Sequence, residues 1–173
     1  MKLFVFRLGH RPERDKRIST HVFLAARAFL CSSGFYSGSK DKELEESIKK
    51  VVKNWGGDFK IKYEGNWKKF IKNFPGIKIH LTMYGIPFQE KINEIRKNKE
   101  NKLIIVGGEK VPGEVYEMAD YNIAVTNQPH SEVSALAVFL HEFWQGKELK
   151  KDFKGKLKII PQEKGKKITN NNC

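Results

Sequence analysis

Three times in succession the sequence repeats one order: a short apolar run, a loop of small or polar residues, then a run with helical spacing. Few folds accommodate that order. "IKIHL" leads through "TMYGIP" into "FQEKINEIRKNK", "LIIV" through "GGEKVPG" into "EVYEMA", and "YNIAV" through "TNQPH" into "SEVSALAVFLHEFW". Strands that alternate with helices need crossover connections, which predicts an α/β fold with a mostly parallel sheet flanked by helices. The first half of the chain adds Lys2–Leu8 as a strand and "GHRPERDKR" as a polar loop. A helix follows over Ser19–Leu30, with Ser19 or Thr20 as its cap. "CSSGFYSGS" reads as a break, Asp41–Trp55 as a helix, "FKIKY" as a strand and "NWKKFIKNF" as a short helix. The helix over 41–55 is the clearest, because Leu44, Ile48, Val51, Val52 and Trp55 share a face and Gly56-Gly57 stops it. In the last helix Val133, Leu136, Ala137, Leu140 and Trp144 are expected to face the core.

The composition changes after Gly146. Residues 1–146 read as one domain and 147–169 as a basic C-terminal extension. In that extension "KLKII" and "KKI", on either side of Pro161–Gly165, suggest a β-hairpin. Residues 170–173 read as a disordered end.

In an open parallel sheet, ligands bind beyond the carboxyl ends of the strands. The three loops all leave such ends and should converge on one pocket. "GGEKVPG" has neither the Gly-x-Gly-x-x-Gly spacing of a dinucleotide site nor the Gly-Lys-Ser/Thr of a P-loop. Residues 102–145 carry two Lys/Arg against six Asp/Glu, a balance that disfavours a polyphosphate and suits a ligand bearing positive charge. A plain glycine turn is the competing reading of Gly107 and Gly108. The whole chain is nevertheless +13, and that excess predicts a polyanionic partner, RNA or DNA. Arg7, Arg11, Arg14, Arg17 and Arg27 crowd the N-terminal region, and the guanidinium fork suits phosphate; a solvated charged loop is the alternative. No metal is expected. His10, His21, His80, His130 and His141 lack ligand spacing, "HEFWQG" lacks the second zincin histidine, and Cys31 and Cys173 form no Cys-x-x-Cys. Two cysteines fit a reducing cytoplasm. "KLFVFRL" is too short for a signal peptide, and no apolar run approaches a membrane span.

Three long segments carry a resemblance: "RLGHRPERDKRISTHVFLAARAF", "HLTMYG" and "VGGEKVPGEVYEMADYNIAVTNQPHSEVSALAVFLHEF". Together they resemble the archaeal tRNA cytidine-56 2′-O-methyltransferase family of the SPOUT superfamily, over roughly residues 1–160. The resemblance implies 2′-O-methylation of the T-loop cytidine of tRNA with S-adenosylmethionine (SAM). It also implies a homodimer and a trefoil knot, an exception to the rule that chains do not thread. The knot loops of such enzymes hold SAM, here matching Leu81, Thr82 and Met83, then Gly107, Gly108, Glu109, Lys110 and Val111. The third loop matches Val125, Thr126, Asn127, Gln128, Pro129, His130, Ser131 and Glu132. A first-helix arginine assists catalysis in these enzymes and matches Arg27, with Arg17 as second choice. Arg7, His10, Arg11, Arg14 and Arg17 would bind RNA. The alternatives are a non-catalytic RNA-binding module, methylation at another RNA site, and a nucleotide-dependent enzyme of Rossmann type.

Overall fold

A computed structural model describes residues 1–108 and 110–171 of the chain. Six strands form one parallel sheet: β1 (Leu3–His10), β2 (Ser33–Gly38), β3 (Ile61–Tyr63), β4 (Ile77–Pro87), β5 (Lys102–Gly107) and β6 (Tyr121–Ala124). Their order across the sheet is β3-β2-β1-β5-β4-β6. The connecting helices are α1 (Pro12–Ala28), α2 (Lys42–Trp55), α3 (Trp67–Lys72), α4 (Phe88–Lys97), α5 (Gly113–Met118) and α6 (Glu132–Trp144). Successive residues of a strand point to opposite faces, so the central strands feed two cores. Leu3 and Val5 of β1, with Ile104 and Val106 of β5, join the cluster that also holds Val22, Leu44, Ile92 and Phe139 of α1, α2, α4 and α6. Phe6, Leu8, Leu103 and Ile105 meet Ile71 and Val115 of α3 and α5 on the other face. No helix among the described residues is long and apolar enough to cross a membrane.

The sequence placed a loop where α1 begins. Pro12 sits in the first turn with its φ already helical, and Glu13 and Asp15 complement the positive end of the helix dipole. Asp15 accepts the Arg11 backbone N–H at 3.1 Å and its Nε at 2.9 Å, closing the entry turn. Ser19 is therefore a buried mid-helix residue and not a cap. "CSSGFYSGS" contains β2, in which Phe35 and Tyr36 stand among glycines and serines. A side chain at Gly34 would stand 2.7 Å from the Phe23 ring, so helix-to-sheet packing selects glycine there. The α6 face is also rotated: Ala135, Leu136, Phe139, Leu140 and Phe143 are buried, while Val133 and Trp144 are half-buried. A helix apolar on nearly every side gives periodicity little to grip.

The loop "TMYGIP" belongs to β4. Leu81 and Ile86 both pair with Ile123, so residues 82–85 leave the ladder as an excursion and return. Beyond α6, β7 (Leu157–Ile160) pairs antiparallel with β8 (Lys167–Asn170), so pairing continues through Asn170, inside the span read as a disordered end. Asn172 and Cys173 lie outside the described residues. The segment leading to this pair docks on the end of α2, where Gly57 donates to the Phe153 carbonyl at 3.0 Å.

Gly38 turns the chain from β2 towards α2 with φ +98°, and a Cβ there would fall 2.3 Å from the His10 carbonyl oxygen. Gly38→Ala is expected to cost about 1–3 kcal/mol from the backbone conformation alone, with the clash added. An unchanged urea midpoint would contradict this.

Candidate active site

Because the sheet is parallel, β4, β5 and β6 present their carboxyl ends along one edge. The loops leaving them enclose a cleft of about 300 Å³. Leu81, Thr82 and Met83 line it from the β4 excursion, and Gly107, Gly108 and Val111 from the second loop. Val125, Gln128, Pro129, His130 and Glu132 complete it from the third. Gly107 lets the second loop fold back, since a Cβ there would lie 2.3 Å from Val111 Cγ2. Lys110, Thr126, Asn127 and Ser131 do not line this cleft. Asn127 donates from Nδ2 to the carbonyls of Met83 at 2.7 Å and Gly85 at 3.1 Å, stapling the third loop to the first. Ser131 Oγ accepts from Val133 N at 3.2 Å and caps α6. Thr126 is exposed. Glu109 lies outside the described residues.

His80, Tyr84, Tyr116 and Ala135 also line the cleft, and sequence reasoning missed them. His80 is fully buried, with Nδ1 2.9 Å from Asn122 Oδ1. Asn122 donates through Nδ2 to the Tyr116 carbonyl at 2.9 Å, so its oxygen faces the imidazole and Nδ1 carries the proton. Burial holds the ring below the usual histidine range, against the bond to Asn122, and so favours the neutral form. Nε2 is then an acceptor, and it has no partner. The Tyr116 ring stands edge-on to His80, and its hydroxyl lies 3.1 Å from Thr82 Oγ1. A histidine in the middle of the apolar run "IKIHL" was the available signal.

Arg7 Nη2 donates to Glu132 Oε1 at 3.0 Å, joining β1 to the first turn of α6. The Arg7 side chain is only 1% exposed, so it cannot reach a phosphate outside and is not a surface RNA contact. Burial pulls its pKa down, although Glu132 acts in the opposite direction. Burial also lifts the Glu132 carboxyl above the usual range in spite of Arg7. Both members are therefore strained by desolvation and depend on each other.

A second cleft, of about 670 Å³, adjoins the first and shares Gly108 with it. Arg11, Arg14 and Lys110 line it, with Trp67 and the backbone at Gly9, Gly38 and Gly65. His10 also borders it but is fully buried, with Nδ1 2.8 Å from Ser19 Oγ and Nε2 3.1 Å from Asp41 Oδ2. It ties α1 to α2 and has no free face for RNA. Burial alone would raise the Asp41 carboxyl, but bonds from Leu44 N, His10 and Glu43 N bring it below the ordinary range. A group with a depressed folded-state pKa stabilises above its unfolded pKa and loses that contribution as pH falls through the folded value. Asp41→Asn is therefore expected to flatten the acid side of the stability–pH curve. An unchanged slope below the ordinary carboxylate range would contradict this.

Arg17 is exposed on α1 and lines neither cleft. Arg27 is at the other end of the molecule. The chain leaving α1 bonds back to the start of β1, with Ser32 N donating to the Leu3 carbonyl at 2.7 Å, so Arg27 lies near the amino edge of the sheet. Its Nη2 donates to the carbonyls of Trp55 at 2.8 Å and Gly56 at 2.7 Å, and its guanidinium covers the Phe153 ring at 4.7 Å. That placement fits a structural residue and not a catalytic one. Among the described residues no three His, Cys, Asp or Glu are grouped to hold a metal.

The fold is that of the SpoU class of RNA methyltransferases. The A. aeolicus TrmH/SpoU tRNA modifying enzyme superposes with TM-score 0.60 at 20% identity, covering 86% of this chain and 77% of that one. An AdoMet-bound rRNA methyltransferase from Sinorhizobium meliloti superposes with TM-score 0.58 at 13% identity, covering 84% and 57%. Residues 55–169 match the profile of the tRNA ribose 2′-O-methyltransferase family, aTrm56, and the chain belongs to that family. The tRNA (cytidine(56)-2′-O)-methyltransferase of Pyrococcus horikoshii is 55% identical over 170 residues, 96% of this chain and 84% of that protein.

Proposed function

We propose that this protein transfers a methyl group from SAM to the ribose 2′-hydroxyl of the T-loop cytidine of tRNA. The observation that carries the reading is the convergence of three strand-end loops on one cleft in a chain of this family. The cleft suits the cofactor. Leu81, Val111, Val125, Pro129 and Ala135 offer apolar walls for an adenine, and Thr82 and Tyr116 offer hydroxyls. Bound there, SAM supplies an electrophilic methyl group on a sulfonium.

The chain's own residues orient that group and exclude water. An arginine stays protonated, so its part is to hold a phosphate and polarise the acceptor hydroxyl. Arg17 takes this role in preference to Arg27, because Arg27 is committed to the end of α2. Since Arg17 lines neither cleft of its own chain, the enzyme works as a homodimer in which α1 of one copy serves the other's cleft. The exposed apolar side chains Tyr84, Ile86 and Val138 support a second copy. A trefoil knot is supported by the path of the chain: β6 pairs with β4 at the sheet edge, yet α6 packs back on β5 and α1. Residues 1–146 are the methyltransferase domain, and 147–169 are a docked basic extension.

Calorimetry tests the cofactor half of this reading. SAM should bind at one site per chain and NADH should not. Binding of NADH alone would favour the Rossmann alternative, and tRNA binding without SAM binding would favour a non-catalytic module.

A further inference from the structure

We propose that the second cleft seats the target nucleotide, with Trp67 as the platform on which its base stacks. This rests on the reading of the protein as an RNA methyltransferase. Methyl transfer needs the acceptor oxygen beside the donor, and the wall at Gly108 is common to both clefts. Gly108 contributes no side chain to that wall, and the nearest atom to a Cβ built there is Arg7 Nη2 at 4.0 Å.

The lining is cationic. Arg11, Arg14 and Lys110 face the cleft, and no described lining residue is Asp or Glu. The Arg11 fork is already oriented by Asp15, with Nε to Oδ2 at 2.9 Å and Nη2 to Oδ1 at 3.2 Å. Trp67 is half-buried. It packs against the cluster of Phe6 and Ile71 and also borders the cleft, and the exposed Lys68 ammonium lies 5.5 Å from its ring centroid, where a base can displace it. Gly9 leaves open space, with nothing within 4 Å of a Cβ placed there. An aromatic platform among guanidinium and ammonium groups is the arrangement that binds unstacked bases of single-stranded RNA. A nucleotide drawn out of the T-loop loses its stacking neighbours, and Trp67 replaces one of them.

The test compares Trp67→Ala, Trp67→Phe and the wild type, each confirmed folded by thermal melting. Three quantities are measured: KM for tRNA transcript, the Kd of SAM, and the Kd of a T-arm hairpin RNA by filter binding. Trp67→Ala should raise KM and weaken hairpin binding roughly tenfold to a hundredfold, while leaving the SAM Kd unchanged. Trp67→Phe should recover most of the loss. A folded Trp67→Ala with hairpin Kd and KM within about twofold of wild type would overturn the proposal. So would a Trp67→Phe protein as impaired as the alanine variant, since a ring should suffice for stacking. If the wild type transfers no methyl group yet its hairpin binding depends on Trp67, the enzymatic reading fails and the base platform stands.

Discussion

Glu132→Ala is expected to destabilise the protein by about 3–5 kcal/mol, the range for breaking a buried ion pair from one side. The substitution leaves the Arg7 side chain 1% exposed, its Nε already without a partner and its hydrogen-bonded counter-charge gone, with only the coulombic pull of Asp15 remaining. The Arg7 Nη1 bond to the Leu8 carbonyl at 3.0 Å would remain, but it neutralises nothing. Replacing both partners with apolar residues, Arg7→Met with Glu132→Leu, should recover most of the stability, because neither charge is then left to desolvate. Thermal and urea unfolding of the single and double variants form the required cycle. Glu132 also lines the cleft proposed to hold SAM, so SAM affinity should fall in both variants even where stability returns. A single variant within about 1 kcal/mol of wild type, below the cost of stranding a buried charge, would show that Arg7 finds another partner.

Arg27→Ala is expected to lower stability by about 2–4 kcal/mol, while the folded enzyme keeps its kcat. The loss combines two charge-assisted bonds to carbonyls at the end of α2 with the cover over Phe153. Arg27→Lys should recover only part of it, because an ammonium lacks the planar fork. The C-terminal extension should loosen in the same variants, since Phe153 also accepts the Gly57 N–H. Hydrogen exchange over residues 150–170 would report that loosening. A stable Arg27→Ala protein without turnover would return Arg27 to catalysis.

The alternation of strand, loop and helix carried most of the fold, because the alternating "IKIHL", the short apolar run "LIIV" and the 3.6-residue period of the helix over 41–55 are local signals. The carboxyl-end rule pointed to the three loops that line the first cleft, and eleven of the sixteen residues that the family resemblance assigned to SAM lie along it. What the sequence hid was non-local. The start of α1 depends on the Arg11–Asp15 closure, which outweighs the polar look of "GHRPERDKR". The glycine- and serine-rich β2 is held as a strand by β1 and β3 on either side, with Gly34 admitting Phe23. The arginines were read as one basic face. Position along β1 and α1 separates them into a buried pair at Arg7, cleft residues at Arg11 and Arg14, an exposed helical Arg17 and a brace at Arg27. Burial of a charge is decided by what packs over it, and no run of residues states that.

The central claim is ribose methylation of the T-loop cytidine, and label transfer tests it most directly. Recombinant protein is incubated with methyl-tritiated SAM and an unmodified tRNA transcript, and the labelled nucleotide is identified after digestion. The account predicts label on the 2′-oxygen of that cytidine, none on its base, and none in a transcript whose cytidine carries a 2′-deoxyribose. A folded, SAM-binding protein that leaves this ribose unlabelled, or labels a base instead, would contradict it.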